Sequence, residues 1–517
     1  MKPNAAYRAL ARVDAYVNRA YTARWNPLYH SGAIAVALLL VLIGTGVYLL
    51  FFYRLGAPYE SVAAINGQAW SGRWIRGLHR FASDATLIAV AVHAFRMYAQ
   101  RRSWGPRALA WISGVALVGL VLLSGWSGYI LVWDAHAQLL ATEIARLLDA
   151  VPVFSEPLSR SFSGEYEVPN AFFFITLFLH IALPLSIGLL IWVHVARVAR
   201  PVLLPARPVL WGVAGTLALI AVVWPLPMER AADLLHMPEA VGIDGFFSFW
   251  VPITRGLSPW PVWVAVLAIT LLALAVPWLT RPRLQPLSAP ATVNERACTG
   301  CEQCVRDCPY DAIEMIARTD GRDGSVAKVR SELCTSCGIC VGSCPPMAIG
   351  PGGVTARDQL AEVRAFIAAE TLTEDNVVIV GCAWSAARVE AERHGARLLT
   401  VPCVGAMHTS TVELLLRGGA GGVLVVGCPE HDGRTREGVT WTAQRLFQGR
   451  RADLKARADA RRVRLVQANV GECARLHDAV LAFGADIDAL NNLSEEERID
   501  LVGMCRSNGS RRSEAGR

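Results

Sequence analysis

The chain has 517 residues, 53% of them hydrophobic, and its mean hydropathy is +0.35. This length predicts several domains, and the apolar content predicts membrane spans rather than a wholly soluble protein. The net charge of +7 is modest, and many of the arginines flank apolar segments, so a nucleic-acid partner is not expected.

Residues 1–30 open the chain with a basic amphipathic stretch, YRALARVDAYVNRAY. The first apolar run comes too late and is too long for a signal peptide, so we expect a helix on the inner membrane surface. Residues 31–283 then hold six predicted spans, at roughly 31–52, 77–98, 108–133, 171–198, 209–226 and 260–279.

The distribution of arginine predicts the orientation of these spans. Arginines precede the first span and follow the second, fourth and sixth, and such segments belong on the cytoplasmic side. The long loops at 134–170 and 227–258 are richer in acidic residues and are expected to face outward. Six spans return the chain to the cytoplasm, where we expect both the N-terminus and the cysteine-rich region.

Two of the predicted spans carry a pair of histidines each. His79 and His93 lie fourteen positions apart, and so do His180 and His194. Fourteen residues are close to four helical turns, so both rings of a pair leave the same face, about 21 Å apart along the axis. Two such helices can hold two haems, because each iron can take one imidazole from each helix.

Four glycines in the neighbouring spans repeat the same spacing. They form the pairs Gly32 and Gly46, and Gly114 and Gly128. A porphyrin lying flat against a helix needs a missing side chain at its level, which glycine supplies. Glycine also serves close packing of membrane helices, so both roles are open for each pair.

From about Trp25 to Pro201 the chain resembles the cytochrome b family of quinol-oxidising complexes, through NPLYHSG, RWIRGLHRFASD, VHAFRMY, SGYILVWD and LHIALPL in that order. The resemblance implies two haem b groups and a reaction with membrane quinone or quinol, and it leads us to expect a homodimer. It places the outer haem on His79 and His180, and the inner haem on His93 and His194. A covalently attached third haem is not expected, because His30 stands where plastid-type relatives have a cysteine.

The chain departs from this family in the loop HMPEAVGIDGFFSFW, which lacks the proton-accepting Pro-Glu-Trp-Tyr motif. Either Glu239 or Asp244 replaces the missing acid, or both are ordinary solvated loop residues. The stretch HAQLLATEIARLLDAVP either caps an outer quinone pocket or is a simple surface helix. Arg76, Arg80 and Arg96 either pair with haem propionates or anchor helix ends, and we assign Arg80 to the haem.

Residues 284–296 form a proline-rich linker to a predicted ferredoxin module at 297–352. This module contains CTGCEQCVRDCP and CTSCGICVGSCP, each with the spacing C-x2-C-x2-C-x3-C-P. All thirteen cysteines follow residue 297, which favours metal ligation in a reducing compartment over disulfides. The two complete four-cysteine runs also favour iron–sulfur clusters over zinc.

The spacing matches the bacterial two-cluster ferredoxin, in which the fourth cysteine of each run serves the other cluster. One [4Fe–4S] cluster is therefore assigned to Cys298, Cys301, Cys304 and Cys344, and the second to Cys334, Cys337, Cys340 and Cys308.

Residues 353–480 alternate apolar strand runs with helical patterns, which predicts a doubly wound parallel sheet. A cysteine follows each strand run: Cys382, Cys403, Cys428 and Cys473. Ligands collect beyond the carboxyl ends of such strands, so these cysteines are candidates for a small cluster.

Residues 377–450 resemble the delta (iron–sulfur) subunit of methyl-viologen-reducing hydrogenases, a [2Fe–2S] electron adaptor, through GCAW, VPCVGAM and LLRGGAGGVLVVGCP. Ser385 stands where that family has a second cysteine, and HDGR stands where another is expected after Cys428. Either Cys473 completes an altered [2Fe–2S] site, or the domain has lost its cluster and serves as a docking scaffold. Residues 481–517 are predicted to form a helix capped by Ser494 and Glu497, followed by a disordered end.

The predicted fold is thus multidomain: an all-α six-helix transmembrane cytochrome b bundle, a small α+β ferredoxin-like domain and an α/β doubly wound domain. The predicted function is electron transfer in a bacterial or archaeal cell membrane, between the quinone pool and a cytoplasmic oxidoreductase subunit docked on the C-terminal domain. Flavin, nicotinamide and molybdenum motifs are missing from the sequence, so chemistry on a soluble substrate is assigned to that other subunit. The alternatives are a transmembrane reductase with an outer donor and no quinone site, and a redox sensor or scaffold without turnover.

Overall fold

The computed structural model describes residues 4–492 except 152–155, 163–167, 197, 199, 237–240, 243, 282–288, 383–384, 395, 430, 434 and 436, and it leaves out the side chains of 389, 393 and 394. Four parts of the sequence analysis lie outside the described residues. They are Glu239, residues 284–288 of the linker, the helix predicted to begin at Ser494, and the last cysteine, Cys505. The chain divides into two compact units, Trp25–Gln285 and Met1–Arg24 with Pro286–Arg517.

Every predicted span coincides with a helix. The α-helices before the linker are α1 (Ala5–Trp25), α2 (Ser31–Phe52), α3 (Pro58–Gly67), α4 (Gly72–Ala99), α5 (Ala108–Ile130), α6 (Ala135–Asp149), α7 (Asn170–Val195), α8 (Arg207–Val223), α9 (Val251–Arg255) and α10 (Pro259–Leu279). Among the described residues, α2, α5, α7 and α10 are long and apolar enough to cross a membrane. Helix α4 carries several charged residues and α8 has only 17 residues, so the count of six spans stays a prediction.

The outer surface of these helices is apolar. Phe178 and Leu185 on α7, and Ile269 and Leu272 on α10, are each more than half exposed. A continuous apolar surface of this kind needs an apolar environment. The chain is therefore an integral membrane protein.

Inside this unit, α2 packs along α4, α5 along α7, and α8 against α4. Ile34 and Leu38 of α2 are buried together with Ala82 and Ala89 of α4 and with Val209 of α8. The two alanines let the neighbouring helices approach α4 closely, as small residues do in membrane bundles.

The ferredoxin module is a small α+β fold. Its elements are β1 (Thr292–Val293), α11 (Gln303–Asp307), β2 (Ile313–Ala317), β3 (Ser325–Val329), α12 (Ile339–Gly342) and β4 (Ile349–Gly350). Strand β1 pairs antiparallel with β4, and β2 pairs antiparallel with β3. The buried core of this module consists largely of the cysteines and the small apolar residues around them.

The C-terminal domain is a parallel sheet with helices on both faces. Its elements are α13 (Ala356–Ala369), β5 (Val377–Gly381), α14 (Ala387–His394), β6 (Arg397–Thr400), α15 (Ser410–Arg417), β7 (Gly422–Gly427), α16 (Gly438–Phe447), β8 (Val463–Gln467) and α17 (Cys473–Asn491). The strand order is β6-β5-β7-β8, all parallel. Val378 packs towards α13 and α15, whereas the next residue, Ile379, packs towards α14 and α17.

Helix α1 contacts this C-terminal domain. A Cβ atom built at Gly471 would lie 2.1 Å from the carbonyl oxygen of Ala11, and the Asn18 side-chain amide donates to Glu472 at 3.2 Å. Ala11 is fully buried. The membrane-surface position predicted for residues 1–30 stays a prediction.

Replacing Gly471 with alanine should loosen α1, because the new methyl group would overlap the Ala11 carbonyl. We expect faster hydrogen–deuterium exchange across α1 in the purified chain. Gly484→Ala in α17 is the matched control, since nothing lies within 4 Å of its added Cβ, and it should stabilise the helix by roughly 0.5–1 kcal/mol. Equal exchange of α1 in both variants would contradict the contact.

Candidate haem and iron–sulfur centres

Two histidine pairs face each other between α4 and α7. The ring centres of His79 and His180 lie 6.3 Å apart, and those of His93 and His194 also lie 6.3 Å apart. Two imidazole–metal bonds of about 2.0 Å each, together with the distance from each nitrogen to its ring centre, give a separation of about 6 Å. Each pair is therefore spaced to hold one iron ion between its rings, as a haem with two axial histidines requires.

Each of the four glycines lies against one histidine ring. From an added Cβ to the nearest ring atom, the distances are 2.9 Å for Gly32 to His93, 3.3 Å for Gly46 to His79, 3.2 Å for Gly114 to His194 and 2.9 Å for Gly128 to His180. A side chain at any of these positions would push the ring away from the helix. The equal spacing of glycines and histidines thus has a direct cause, because each imidazole occupies the place of a missing Cβ.

A hydroxyl group next to the glycine orients three of these rings. The Nδ1 atom of His79 lies 2.8 Å from the Thr45 hydroxyl, that of His194 3.1 Å from Ser113, and that of His180 3.0 Å from Ser127. Each hydroxyl donates to the carbonyl four residues before it, so it accepts from Nδ1–H of the ring. The proton therefore sits on Nδ1, and Nε2 keeps the lone pair that binds a metal.

These hydroxyl residues were not predicted from the sequence. The signal was present, because Thr45, Ser113 and Ser127 each come directly before one of the spaced glycines, and Ser31 holds the same place before Gly32. The contact itself joins two different helices, so it emerges only once α2 is packed on α4 and α5 on α7.

The Arg80 side chain lies among polar groups beside the His79 pair. It pairs with Asp84 and with Asp244, the latter at 2.9 Å, and it donates to the Tyr129 hydroxyl. Its guanidinium carbon lies 4.8 Å from the centre of the Tyr129 ring. The assignment of Arg80 to a haem propionate stays a prediction, since these contacts already engage the guanidinium.

The loop HMPEAVGIDGFFSFW lacks the Pro-Glu-Trp-Tyr motif, and its described residues pack against α5. The Phe247 ring fills the space above Gly125, where a Cβ would lie 2.0 Å from it. The Trp126 indole donates to the Phe247 carbonyl at 2.8 Å. Asp244 caps this turn by accepting the Phe247 amide at 2.6 Å, so it has a structural role in addition to its ion pair.

Two small cavities in the ferredoxin module collect the eight motif cysteines. The first is lined by Cys298, Cys301, Cys304 and Cys344, and the second by Cys308, Cys334, Cys337 and Cys340. The fourth cysteine of each run thus lines the cavity of the other run. Four cysteine sulfurs around an otherwise apolar cavity fit a [4Fe–4S] cluster.

The two cysteine runs have the same backbone, 36 residues apart. Left-handed residues occur at Gly300, Glu302 and Asp311 in the first run and at Ser336, Gly338 and Met347 in the second. The backbone amide of Ala312 donates to the Cys308 sulfur at 3.3 Å, and that of Ala348 donates to the Cys344 sulfur at 3.2 Å. The repeated turns place matching amides and sulfurs around both cavities.

Burial keeps the Cys304 and Cys337 thiols protonated when no metal is bound. Burial raises the pKa of Cys304 to about 12 and that of Cys337 to about 11. Because the thiolate is the metal ligand, cluster binding must displace these protons.

The cysteines of the C-terminal domain gather at the carboxyl edge of its sheet. Cys382 follows β5 and Cys428 follows β7, and the strand order reverses between these two strands. A hydrogen bond with Cys382, together with burial and the nearby charge of Cys403, raises the pKa of Cys428 well above its ordinary value. Cys473 donates to the Val470 carbonyl of its own loop at 3.3 Å. The structure therefore brings Cys382, Cys403 and Cys428 together, and a [2Fe–2S] cluster completed by Cys473 stays a prediction.

Three family models match successive parts of the chain. Residues 16–200 match "Cytochrome b/b6/petB", residues 297–348 match "4Fe-4S dicluster domain", and residues 381–491 match "Methyl-viologen-reducing hydrogenase, delta subunit". A chain of the solved structure "Hyperthermophilic respiratory Complex III" is also similar, with 20% identity over 49% of this chain and 75% of that chain, at a TM-score of 0.39.

The chain is thus an electron-transfer protein of the membrane, of the class that uses haem b and iron–sulfur clusters. In particular, it joins in one polypeptide segments that match models of cytochrome b, of a dicluster ferredoxin and of a hydrogenase delta subunit. The three resemblances predicted from the sequence are confirmed, as is their order.

Replacing Gly128 with valine should remove about half of the bound haem b, because the new side chain would displace the ring of His180 and leave the His93 pair intact. The pyridine haemochrome spectrum of the purified chain measures the ratio of haem to protein. Gly119→Val on the same helix is the matched control, because nothing lies within 4 Å of its added Cβ. Full haem content in the Gly128 variant would refute the role of this glycine.

Proposed function

We propose that this protein passes electrons between the membrane quinone pool and a soluble redox partner, through two b haems and two [4Fe–4S] clusters. The observation that carries the proposal is the pairing of four histidines at 6.3 Å in the same chain as two four-cysteine cavities. The haems exchange electrons with quinone in the bilayer, and the clusters exchange them with the partner.

Contacts within the unit that holds the cluster cysteines support an exit through the C-terminal domain. A Cβ built at Gly338, beside Cys337, would lie 3.1 Å from Ala406. The Ile339 side chain lies between Gly405 and Gly438, 3.0 and 2.9 Å from Cβ atoms built there. The loop of the second cluster is therefore in direct contact with the domain that ends the chain.

Cys403 extends this contact towards the other cysteines of the C-terminal domain. It lies close enough to both Cys337 and Cys428 to raise the pKa of each electrostatically. We propose that electrons leaving the second cluster pass this edge, either through a [2Fe–2S] cluster there or directly to a docked oxidoreductase subunit. The match to a hydrogenase delta subunit supports such docking.

The six spans, the bacterial or archaeal cell membrane and the cytoplasmic position of both termini are part of the same proposal. The haem of His93 and His194 then lies on the cytoplasmic side of the bilayer. Positive charge in the segments after the second, fourth and sixth predicted spans supports this orientation.

A transmembrane reductase with an outer electron donor and no quinone site is the second candidate. Two observations favour it: the Pro-Glu-Trp-Tyr motif is missing from the sequence, and Asp244 is engaged by Arg80 and by the backbone amide of Phe247. A quinone-reactive site in this chain would then need other proton acceptors.

Mixing the purified chain anaerobically with a quinol analogue should reduce the b haems first and the clusters afterwards, as followed by stopped-flow absorbance and freeze-quench EPR. His93→Leu should leave reduction of the other haem intact and slow cluster reduction at least tenfold, because the inner haem is the proposed link. His236→Leu, in an exposed loop position, is the matched control.

The opposite direction is tested by adding quinone to dithionite-reduced protein. Oxidation of the clusters through the haems would also support the proposal. If no electrons pass in either direction, the reaction with quinone is rejected. The remaining hypotheses are then the reductase with an outer donor and the redox sensor. A haem reduced by quinol while the clusters stay oxidised would reject the internal link.

A further inference from the structure

Arg445 of α16 reaches from the C-terminal domain to the turn between Cys340 and Cys344. Its side chain is almost fully buried, at 1% exposure. One guanidinium nitrogen donates to the Ser343 hydroxyl at 3.3 Å, and the other donates to the Gly405 carbonyl and to the Thr442 hydroxyl, both at 3.0 Å. The guanidinium thus joins the two domains at the point where the chain supplies one ligand to each assigned cluster.

The approach to this turn is close. A Cβ built at Gly342 would lie 2.8 Å from a guanidinium nitrogen of Arg445. The Nε atom of Arg445 has no hydrogen-bond partner in the part of the chain that the structure describes. The positive charge is therefore held against the ligand turn with its hydrogen-bonding capacity incompletely used.

A buried acid of the ferredoxin module completes the network. Asp307, with 0% exposure, accepts from the Ser343 hydroxyl at 2.6 Å and from the Gln303 amide at 2.9 Å. It also forms an ion pair with Arg450. The Asp307 carboxylate thus interacts directly with Arg450, and with Arg445 through the Ser343 hydroxyl. Burial lowers the pKa of Arg445 to about 10, which leaves its guanidinium protonated at neutral pH.

This network carries one more positive than negative charge. Burying a charge is costly unless an opposite charge compensates it. Reduction of an iron–sulfur cluster adds one negative charge beside this turn, and the reduction potential of such a cluster depends on the charges and hydrogen bonds around it. The thiolate-ligated cluster is anionic in both states and more so when reduced, so an excess of positive charge beside it stabilises the reduced state more than the oxidised one.

We propose that Arg445 raises the reduction potentials of the [4Fe–4S] clusters held by Cys340 and Cys344, and so stabilises the electron beside the C-terminal domain. Arg445 acts through the charge it holds at the ligand turn. The inference rests on the proposed function only in requiring the two clusters.

The test is an EPR-monitored redox titration of the full chain with its clusters bound. Arg445→Gln should lower the potentials, so that the ratio of reduced to oxidised cluster at a fixed potential falls about tenfold, which for a one-electron couple is about 59 mV. Arg445→Lys keeps the charge and should restore most of the effect. Asp307→Asn removes the negative charge and should shift the potentials upward.

Two further variants keep the test decisive. Arg457→Gln removes an arginine that pairs with Glu413 on the same domain, and it should leave the potentials unchanged. Arg450→Gln removes the positive charge that pairs with Asp307 and should therefore lower the cluster potentials. This variant tests the charge effect even if Arg445→Gln fails to fold.

Lower cluster potentials in Arg445→Gln and Arg450→Gln, together with higher potentials in Asp307→Asn, would support the inference. Equal shifts for Arg445→Gln and Arg445→Lys, or a downward shift for Asp307→Asn, would overturn it and leave Arg445 as a structural link between the domains. Intact clusters with unchanged potentials in every variant would overturn this inference alone. A wild-type chain that binds no [4Fe–4S] cluster would overturn the proposed function as well.

Discussion

The edge of an imidazole ring can approach a neighbouring helix this closely only where that helix lacks a side chain, and the membrane unit is arranged around this restriction. Four glycines on α2 and α5 each face one histidine of α4 or α7. The residue before the glycine then contributes a hydroxyl that accepts the Nδ1 proton of the ring in three of the four cases. Room for the ring and control of its tautomer therefore come from adjacent positions in the sequence, and together they favour an Nε2 atom that is free to face a metal.

In the ferredoxin module, the backbone conformation positions the candidate metal ligands. Left-handed residues recur at the same three offsets in each run, and the crossed fourth cysteines tie the two runs into one core. This core contacts the C-terminal domain through Ile339, through Arg445 and through the His408 ring, which meets the Cys344 carbonyl at 3.2 Å. The surroundings of the clusters are thus set by two domains together, and cluster properties should respond to changes in either of them.

Much of this architecture was predictable because it depends on spacing along one segment. The fourteen-residue interval of His79 and His93, and the C-x2-C-x2-C-x3-C-P runs, are local patterns whose geometry follows from the helix or from the loop. The α/β class of the C-terminal domain followed from its alternating strand runs. The start of α4 at Gly72 rather than near residue 77 was not visible, because its first turns, GRWIRG, are too polar to be recognised by apolar content.

Other features depend on partners distant in the sequence, and no single-segment pattern reveals them. Arg445 stands on an amphipathic helix where an arginine is usually solvated, and only the packing of α16 on the ferredoxin module buries it. Asp307 lies between cysteines of a cluster motif and gives no sign of its pairing with Arg450. Cys473 also follows a strand, but it is the first residue of α17 and does not directly follow β8, and its thiol donates to the Val470 carbonyl.

The contact between α1 and the Gly471 loop joins the first helix of the chain to one of its last turns. Translation reaches position 471 only after all the apolar helices have been made, which at roughly 5–20 residues per second takes on the order of half a minute or more. During that interval the surface of α1 around Ala11 has no cover from the C-terminal domain. Docking of α1 on the C-terminal domain can therefore take place only after the Gly471 loop has been synthesised.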